Sequence, residues 1–541
     1  MSALALPLPG RNARSFSISP AARAWIGFTA MLFGNFIAIL DVQIVASSVN
    51  EIRAGLSASL DEIGWVQTSY LIAEVIGIPL SAFLSRAFST RVYFAACALG
   101  FTIASLACAM AWNLPSMIVF RAIQGFLAGG LIPTTMAALF LMFPESRRAT
   151  PYVLIGMVSL LAPAVGAGTG GYVTSVLSWH WLFLINLLPG VLVASIVWRC
   201  VDIDEPQPAL LRRVDLPGLL GLALALGSLQ FVLEEGMRRD WFDDALITGF
   251  TIVSVAGALL FAARARIAAE PILDLRCLAN RNFSVGCAIS FVVGTMLYGV
   301  VFLIPTFLGH VRGYDSLQIG QITMLSGITM FLSAPIAGRL QHKLDPRWMM
   351  AWGLAMVALG NWLDASLTAG SGFDAFLLPQ LVRGHGFTFC LVPATRIALG
   401  TLPDALLKSG SGLFNLMRNL GGAFGIAGIQ IALRHFRSLN EQGLHTSLDI
   451  ARVPVQDALA AAGRIAPDAM ANATNGVMTG QGVRIATRLA GALVEREAAV
   501  IAFNNVFLLL SGVVIAALFL LLLANKPQLD PLAMSPTGAS K

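Results

Sequence analysis

The chain carries fourteen apolar segments, each long enough to cross a bilayer, and that feature dictates most of what it can become. They fall at residues 25–49, 62–84, 92–111, 115–143, 151–172, 180–198, 216–233, 245–262, 283–308, 317–338, 349–369, 375–394, 412–433 and 498–524. A helical span needs about 20 apolar residues. The runs are continuously apolar rather than alternating, which selects helices over a barrel, because lipid offers no partner to a free backbone N–H or C=O. Composition agrees: 57% of the 541 residues are hydrophobic and 12% are charged, about half the charge of a soluble domain. That balance excludes a soluble multidomain enzyme and a disordered chain. The six cysteines (97, 108, 200, 277, 287 and 390) all lie in or beside spans, so no disulfide is expected. The expectation is an all-α membrane protein.

Basic residues set the direction of the spans. With the N-terminus in the cytoplasm, twenty-one of the 35 Lys and Arg fall in cytoplasmic tails and loops. Short external loops hold four: Arg53, Arg238, Arg239 and Arg312. The long loop 434–497 holds seven, but loops of that length translocate with little regard to charge. An even number of spans then leaves both termini cytoplasmic. The net charge of +6 is topological rather than a nucleic-acid patch. The first 24 residues contain no apolar h-region, so no cleavable signal peptide is expected.

The chain repeats internally. Residues 79–92 (PLSAFLSRAFSTRV) and 335–348 (PIAGRLQHKLDPRW) align without gaps at an offset of 256. A weaker match pairs Ile123-Gln124-Gly125 with Val382-Arg383-Gly384. The offset carries span two onto span ten. Two six-helix bundles with two extra central spans between them give that shift and the total of fourteen. The organisation is then a tail over 1–24, a bundle over 25–199 and a linker with two spans over 200–282. A second bundle covers 283–524, including the long loop, and a tail covers 525–541. Repeated halves with a site at their interface are the architecture of secondary transporters.

An ionisable group inside a span costs about 2.5–3.5 kcal/mol on insertion scales, so each needs a reason. Asp41, Glu74 and Arg121 lie deep in spans one, two and four. Such a set can bind and release a proton as a cavity opens to either side; the alternative is a static ion pair that fixes helix packing. Candidates for a substrate cavity are Gln124, Arg383, His385 and Asn415, with a satisfied interior pair as the alternative for Arg383 and His385. Arg418 is expected to snorkel to the cytoplasmic interface. Glu234, Glu235 and Asp364 sit near span ends and are expected to be interfacial. In span five, Gly166 and Gly170 are four residues apart and let another helix approach closely, while Pro163 removes a backbone donor and bends the helix. There is no HExxH, P-loop or Cys-x-x-Cys, and no metal site is expected.

These residues resemble the major facilitator superfamily, and within it the fourteen-span drug:proton antiporters typified by EmrB multidrug efflux permeases. Leu40-Asp41-Val42-Gln43-Ile44-Val45 is similar to the family's first-span LDxTIV, and Arg121 to Gly125 to its fourth-span RxxQG. Residues 163–172, with Pro163, Gly166, Gly170 and Gly171, resemble the fifth-span antiporter motif. Residues 179–186 (WHWLFLIN) resemble the W-x-W-x-F-x-I-N opening of span six. Two departures stand out. Arg86 takes the place of the aspartate in the loop motif after span two, which leaves the usual acidic interlock without its carboxylate. Position 74 is Glu where relatives commonly have a neutral residue. The resemblance implies the major facilitator fold and export of hydrophobic or amphipathic compounds across a bacterial inner membrane. It implies the proton motive force as energy source, with no cofactor. Its implied partners are membrane lipid, a periplasmic adaptor (membrane fusion protein) and an outer-membrane channel, with the long external loop contacting the adaptor. The alternatives are an importer or symporter of a specific metabolite, and a non-transporting receptor on the same fold.

Overall fold

A computed structural model describes residues 19–59, 62–144, 147–268, 273–341, 343–447 and 480–523. Helix α1 runs Pro20–Ser47, α2 Trp65–Phe88, α3 Thr90–Ala109 and α4 Leu114–Met142. They are followed by α5 Ala149–Val176, α6 Trp181–Cys200, α7 Leu216–Glu235 and α8 Ala245–Ile267. The second half comprises α9 Arg281–Arg312, α10 Ser316–Leu340, α11 Pro346–Leu363, α12 Phe373–Leu399, α13 Asp404–Ser447 and α14 Gly480–Leu520. Among the described residues, twelve helices are long and apolar enough to cross a membrane. The other two, α5 of 28 residues and α11 of 18, occupy the fifth and eleventh expected places.

Helix ends follow local chemistry. The Asn113 side chain accepts from the Ser116 amide while the Ser116 hydroxyl answers the Asn113 amide, and Asp315 and Gln318 repeat the arrangement. Asp215, Asp244 and Asp345 cap the first turns of α7, α8 and α11. Gly313, at φ +68°, ends α9 in the left-handed region. α4 is interrupted at Gly129 and Gly130, between Leu114–Ala128 and Leu131–Met142.

Packing displays the internal repeat. Within the first half α2 lies on α4, α3 on α6 and α1 on α5; within the second, α10 lies on α12, α11 on α14 and α9 on α13. A Cβ at Gly125 would sit 2.2 Å from the Tyr70 carbonyl oxygen, and one at Gly384 would sit 2.3 Å from that of Ser326. Tyr70 and Ser326 are 256 positions apart, the offset of the sequence repeat. The halves meet along two seams, α5 against α10 and α2 against α13. The hairpin α7–α8 belongs to neither repeat: α7 packs on α2 and touches α13. Gly221 of α7 and Gly257 of α8 bring the hairpin's backbones together, and of α8 only Ile247 and Gly257 are buried.

At the face of the bundle where α1 begins, the halves are latched. Lys408 of α13 pairs with Asp204, in the segment after α6, and donates to the Ser85 carbonyl at 3.0 Å. The Asp204 carboxylate also accepts from the Thr90 amide at 3.0 Å and its hydroxyl at 3.1 Å, at the start of α3. The carboxylate that Arg86 displaces from the loop motif is thus replaced by one from a distant segment. On the opposite face α13 and α14 run past the expected span limits at 433 and 498, so residues 434–447 project by about 20 Å. Arg437 bonds Glu441 at 2.7 Å and lies 3.8 Å from Glu495 of α14. The loop's centre, 448–479, lies outside the described residues, as do the tails 1–18 and 524–541.

The glycine contacts make a paired prediction. Gly125→Ala forces α2 and α4 apart and should cost about 1–3 kcal/mol, the usual penalty of overpacking. Gly168→Ala, on α5 with nothing within 4 Å of its Cβ position, should be neutral. Thermal unfolding of both variants in detergent checks this, and equal melting temperatures would contradict the close approach.

Candidate functional site

Asp41 is fully buried; its partners come from α4 and α6, and the network around them reaches α2 and α3. Arg121 of α4 donates to it at 2.6 Å, Gln124 of α4 at 3.2 Å and Asn186 of α6 at 2.7 Å. Arg121 also donates to the Gln124 carbonyl at 2.7 Å and, through Nε, to the Val66 carbonyl of α2 at 3.2 Å. Asn186 donates to Ser105 of α3 at 3.0 Å. Among the described residues the Arg121 Nη2 has no hydrogen-bond partner, but the guanidinium stands 4.3 Å over the Tyr70 ring, where a desolvated cation is held by the aromatic face. Spacing explains the geometry: Arg121 and Gln124 are three apart on α4 and share one face. The carboxylate is held as an acceptor by three donors.

The helix that carries Asp41 is also the one that span five approaches. A Cβ at Gly166 would meet the Gln43 Cβ at 2.7 Å and the Leu40 carbonyl at 3.1 Å; one at Gly170 would meet the Ser47 hydroxyl at 2.1 Å. Gly171 sits beside this contact, its carbonyl accepting from Thr174 at 3.3 Å. The Pro163 side chain lies outside the described residues. α5 therefore grips α1 on one side and α10 across the seam on the other.

A cavity of about 90 Å³ lies between the halves, room for several waters. Glu74 lines it, with Gln43 of α1, Gln230 and Glu234 of α7, Tyr298 of α9 and Asn419 of α13. Among the described residues no hydrogen bond or ion pair reaches the Glu74 carboxylate; the cations in its field are Arg121 and Arg418. Of the residues expected in a substrate cavity, none lines this one. Gln124 belongs to the Asp41 network. Asn415 donates to the Ser411 carbonyl at 2.9 Å and accepts from Arg418 at 2.7 Å. His385 contacts Ser333 at 2.8 Å and accepts from Trp352 at 3.1 Å.

Arg383 forms a second occluded pair. It bonds Asp364 at 2.6 Å, both side chains fully buried, and Asn361 at 2.9 Å and Gln380 at 3.2 Å complete the set. Asp364 is therefore interior rather than interfacial: the end of α11 is covered by α12 and α14. Glu235, also expected at the interface, is buried against Arg238 and accepts from Thr68 at 3.4 Å. Arg418 does not snorkel; it is 5% exposed, facing Asn415. Sequence reasoning misses Asn186, Gln230 and Tyr298 as site residues: Asn186 stands within a recognisable motif, and the other two carry no local signal. Asn419 shares one helical face with Asn415, Arg418 and Gly422 by its spacing.

The Asp41–Arg121 pair yields a thermodynamic test. Arg121→Met strands a buried carboxylate and should cost about 3–5 kcal/mol. The double variant Asp41→Leu/Arg121→Met should recover most of that loss. Unfolding of the two singles and the double in detergent measures the coupling, and additive losses would refute it.

Comparison with known proteins accords with this architecture. The Major Facilitator Superfamily profile matches residues 31–426. The chain is 45% identical to the colistin resistance protein EmrB of Acinetobacter baumannii, over 79% of this chain and 84% of that protein. It is 32% identical to the multidrug export protein EmrB of Escherichia coli, over 73% and 77% respectively. Among solved structures, the proton:xylose symporter XylE superposes with a TM-score of 0.56 at 14% identity, covering 77% of this chain and 90% of that one, a likeness of fold alone. With the repeat, the two seams and these matches in hand, the chain belongs to the Major Facilitator Superfamily and, within it, to the EmrB-type permeases.

Proposed function

We propose that this protein is a multidrug efflux transporter that exchanges protons for hydrophobic or amphipathic compounds by alternating access. It is a multi-pass protein of a bacterial inner membrane, with both termini cytoplasmic by the distribution of Lys and Arg. The observation that carries the mechanism is the buried Asp41 carboxylate, held by Arg121, Gln124 and Asn186 on a helix that also lines the inter-half cavity. Protonation of Asp41 turns an acceptor into a donor and weakens its hold on Arg121. The change is felt along α1, on whose flanks Val42 and Gln43 face the cavity, and at α5, which rests on α1 through Gly166 and Gly170. Because α5 also packs on α10, the proton site is mechanically joined to a seam between the halves. Glu74, in the cavity wall, is the second proton site in this reading, with Arg121 modulating both.

The cavity is smaller than the ~300–1,000 Å³ of ligand pockets, so substrate entry requires the seams to part. The reading is tested by lipophilic-dye transport in everted vesicles under an imposed proton gradient. Wild type should accumulate dye, and Asp41→Asn should lose at least tenfold of the gradient-driven rate. Accumulation by Asp41→Asn with unchanged pH dependence would overturn the assignment.

We further propose that the protein works with a periplasmic adaptor and an outer-membrane channel. The paired extensions of α13 and α14, joined by Arg437, Glu441 and Glu495, are a projecting surface suited to such contact. Deleting 456–488 should abolish co-purification of the adaptor, and an intact complex would sink the idea.

A further inference from the structure

We propose that Glu234 of α7 determines specificity, making the cavity a site for lipophilic cations. The inference rests on reading this cavity as the transport site. α7 belongs to neither repeat, yet it reaches the cavity because of how it is seated. Gly227 fits against Ile72 and Ile76 of α2, and Phe231 stacks on Trp65 at 5.4 Å. Leu229 and Leu233 pack beside Ala423 and Ala427 of α13. Gln230 and Glu234, one turn apart, fall between these two contact strips and face inward, where both line the cavity. Glu234 is thus not the interfacial residue its place near a span end suggests.

The charge pattern of the wall decides the ligand class. Two acids line the cavity and no Lys, Arg or His does. Glu74 lies in the field of Arg418 and Arg121. Glu234 forms no ion pair among the described residues; its hydrogen bond is from the Gln230 amide at 3.1 Å. The adjacent Glu235 pairs with Arg238 and Arg239, whereas among the described residues no cation pairs with Glu234. Gln230 is 5% exposed, its Nε2 is committed to Glu234, and among the described residues no donor reaches its Oε1. A carboxylate without an ion pair among the described residues, and the Gln230 amide bonded to it, therefore open onto one cavity. The rest of the wall is aliphatic, apart from the Tyr298 ring and the amides Asn419 and Gln43. A carboxylate with an aromatic face and an apolar lining suits a delocalised cation in a hydrophobic body. An anion would face both acids with no compensating base.

Equilibrium binding to the purified full-length protein tests this without requiring a gradient. The probes are tetraphenylphosphonium and neutral triphenylphosphine oxide, followed by tryptophan quenching or calorimetry. Wild type should prefer the cation. In Glu234→Gln the cation Kd should rise about tenfold, while the Kd of the neutral probe moves less than twofold. Glu234→Asp should recover part of the loss, and Gln230→Glu should tighten cation binding. Equal loss for both probes marks a merely structural role and overturns the proposal, as does an unchanged cation Kd. Selective cation binding by a protein that moves no dye in vesicles would uphold the proposal and remove the transport reading instead.

Discussion

A carboxylate and a guanidinium, both withdrawn from solvent, organise the first half of this molecule. Removing two charges from water costs several kcal/mol each, and the cost is offset only where geometry and additional hydrogen bonds are good. Asp41 and Arg121 meet that condition by drawing on Gln124, Asn186 and the Val66 carbonyl. The demand for those partners fixes how α1, α2, α4 and α6 stand around one point. The second half meets the same demand with Arg383, Asp364, Asn361 and Gln380. In both halves an Arg and a Gln lie three residues apart just before a glycine, but their order is reversed. The acid comes from α1 in one half and from the end of α11 in the other. The repeat thus preserves the physical solution while redistributing its parts.

Glycine makes that solution reachable. Lipid tails are as apolar as leucine, so helices associate through close packing rather than water exclusion. Gly125 against Tyr70 brings α2 to α4 closely enough for Arg121 to reach the Val66 carbonyl, and Gly360 lets α11 lie against Arg383 of α12. Gly166 and Gly170 do the same for α5 and α1. Ser89, at the turn into α3, adopts φ +75°, a backbone conformation that costs a non-glycine residue about 1–3 kcal/mol.

The fold was legible because hydropathy, charge asymmetry and the 256-residue repeat are linear signals. Asp41, Arg121 and Gln124 were legible as a group because charge inside a span is costly enough to demand explanation. What escaped was lateral. Asp364, Glu234 and Arg418 were read by depth along their helices, which predicted interfaces; which face each turns to a neighbour depends on helices far away in sequence. Asn186 was visible only as a letter in a motif, since an amide carries no insertion penalty comparable to a charge. Asp204 joins Thr90 across 114 residues and Lys408 across 204, and no local pattern announces either contact.

Where the strong interactions lie bears on how such a molecule can move. Among the described residues, both fully buried ion pairs are internal to a half: Asp41 with Arg121 in the first, Asp364 with Arg383 in the second. Polar contacts that cross between halves are of another kind. Lys408 with Asp204 is a partly exposed pair, and Ser411 donates to the Pro133 carbonyl at 3.1 Å. Along the α5–α10 seam, Gly168 lies near Gly320 and Leu161 near Gly327, contacts made of dispersion alone. Breaking a fully buried pair costs about 3–5 kcal/mol. Separation along the seams breaks the Lys408–Asp204 pair, whose side chains are 12% and 17% exposed, and the Ser411–Pro133 hydrogen bond, and leaves each bundle's fully buried charged centre intact. In the proposed coupling, a proton arriving at Asp41 acts on the pair inside the first bundle, and the grip of α5 on α1 carries that change to a seam.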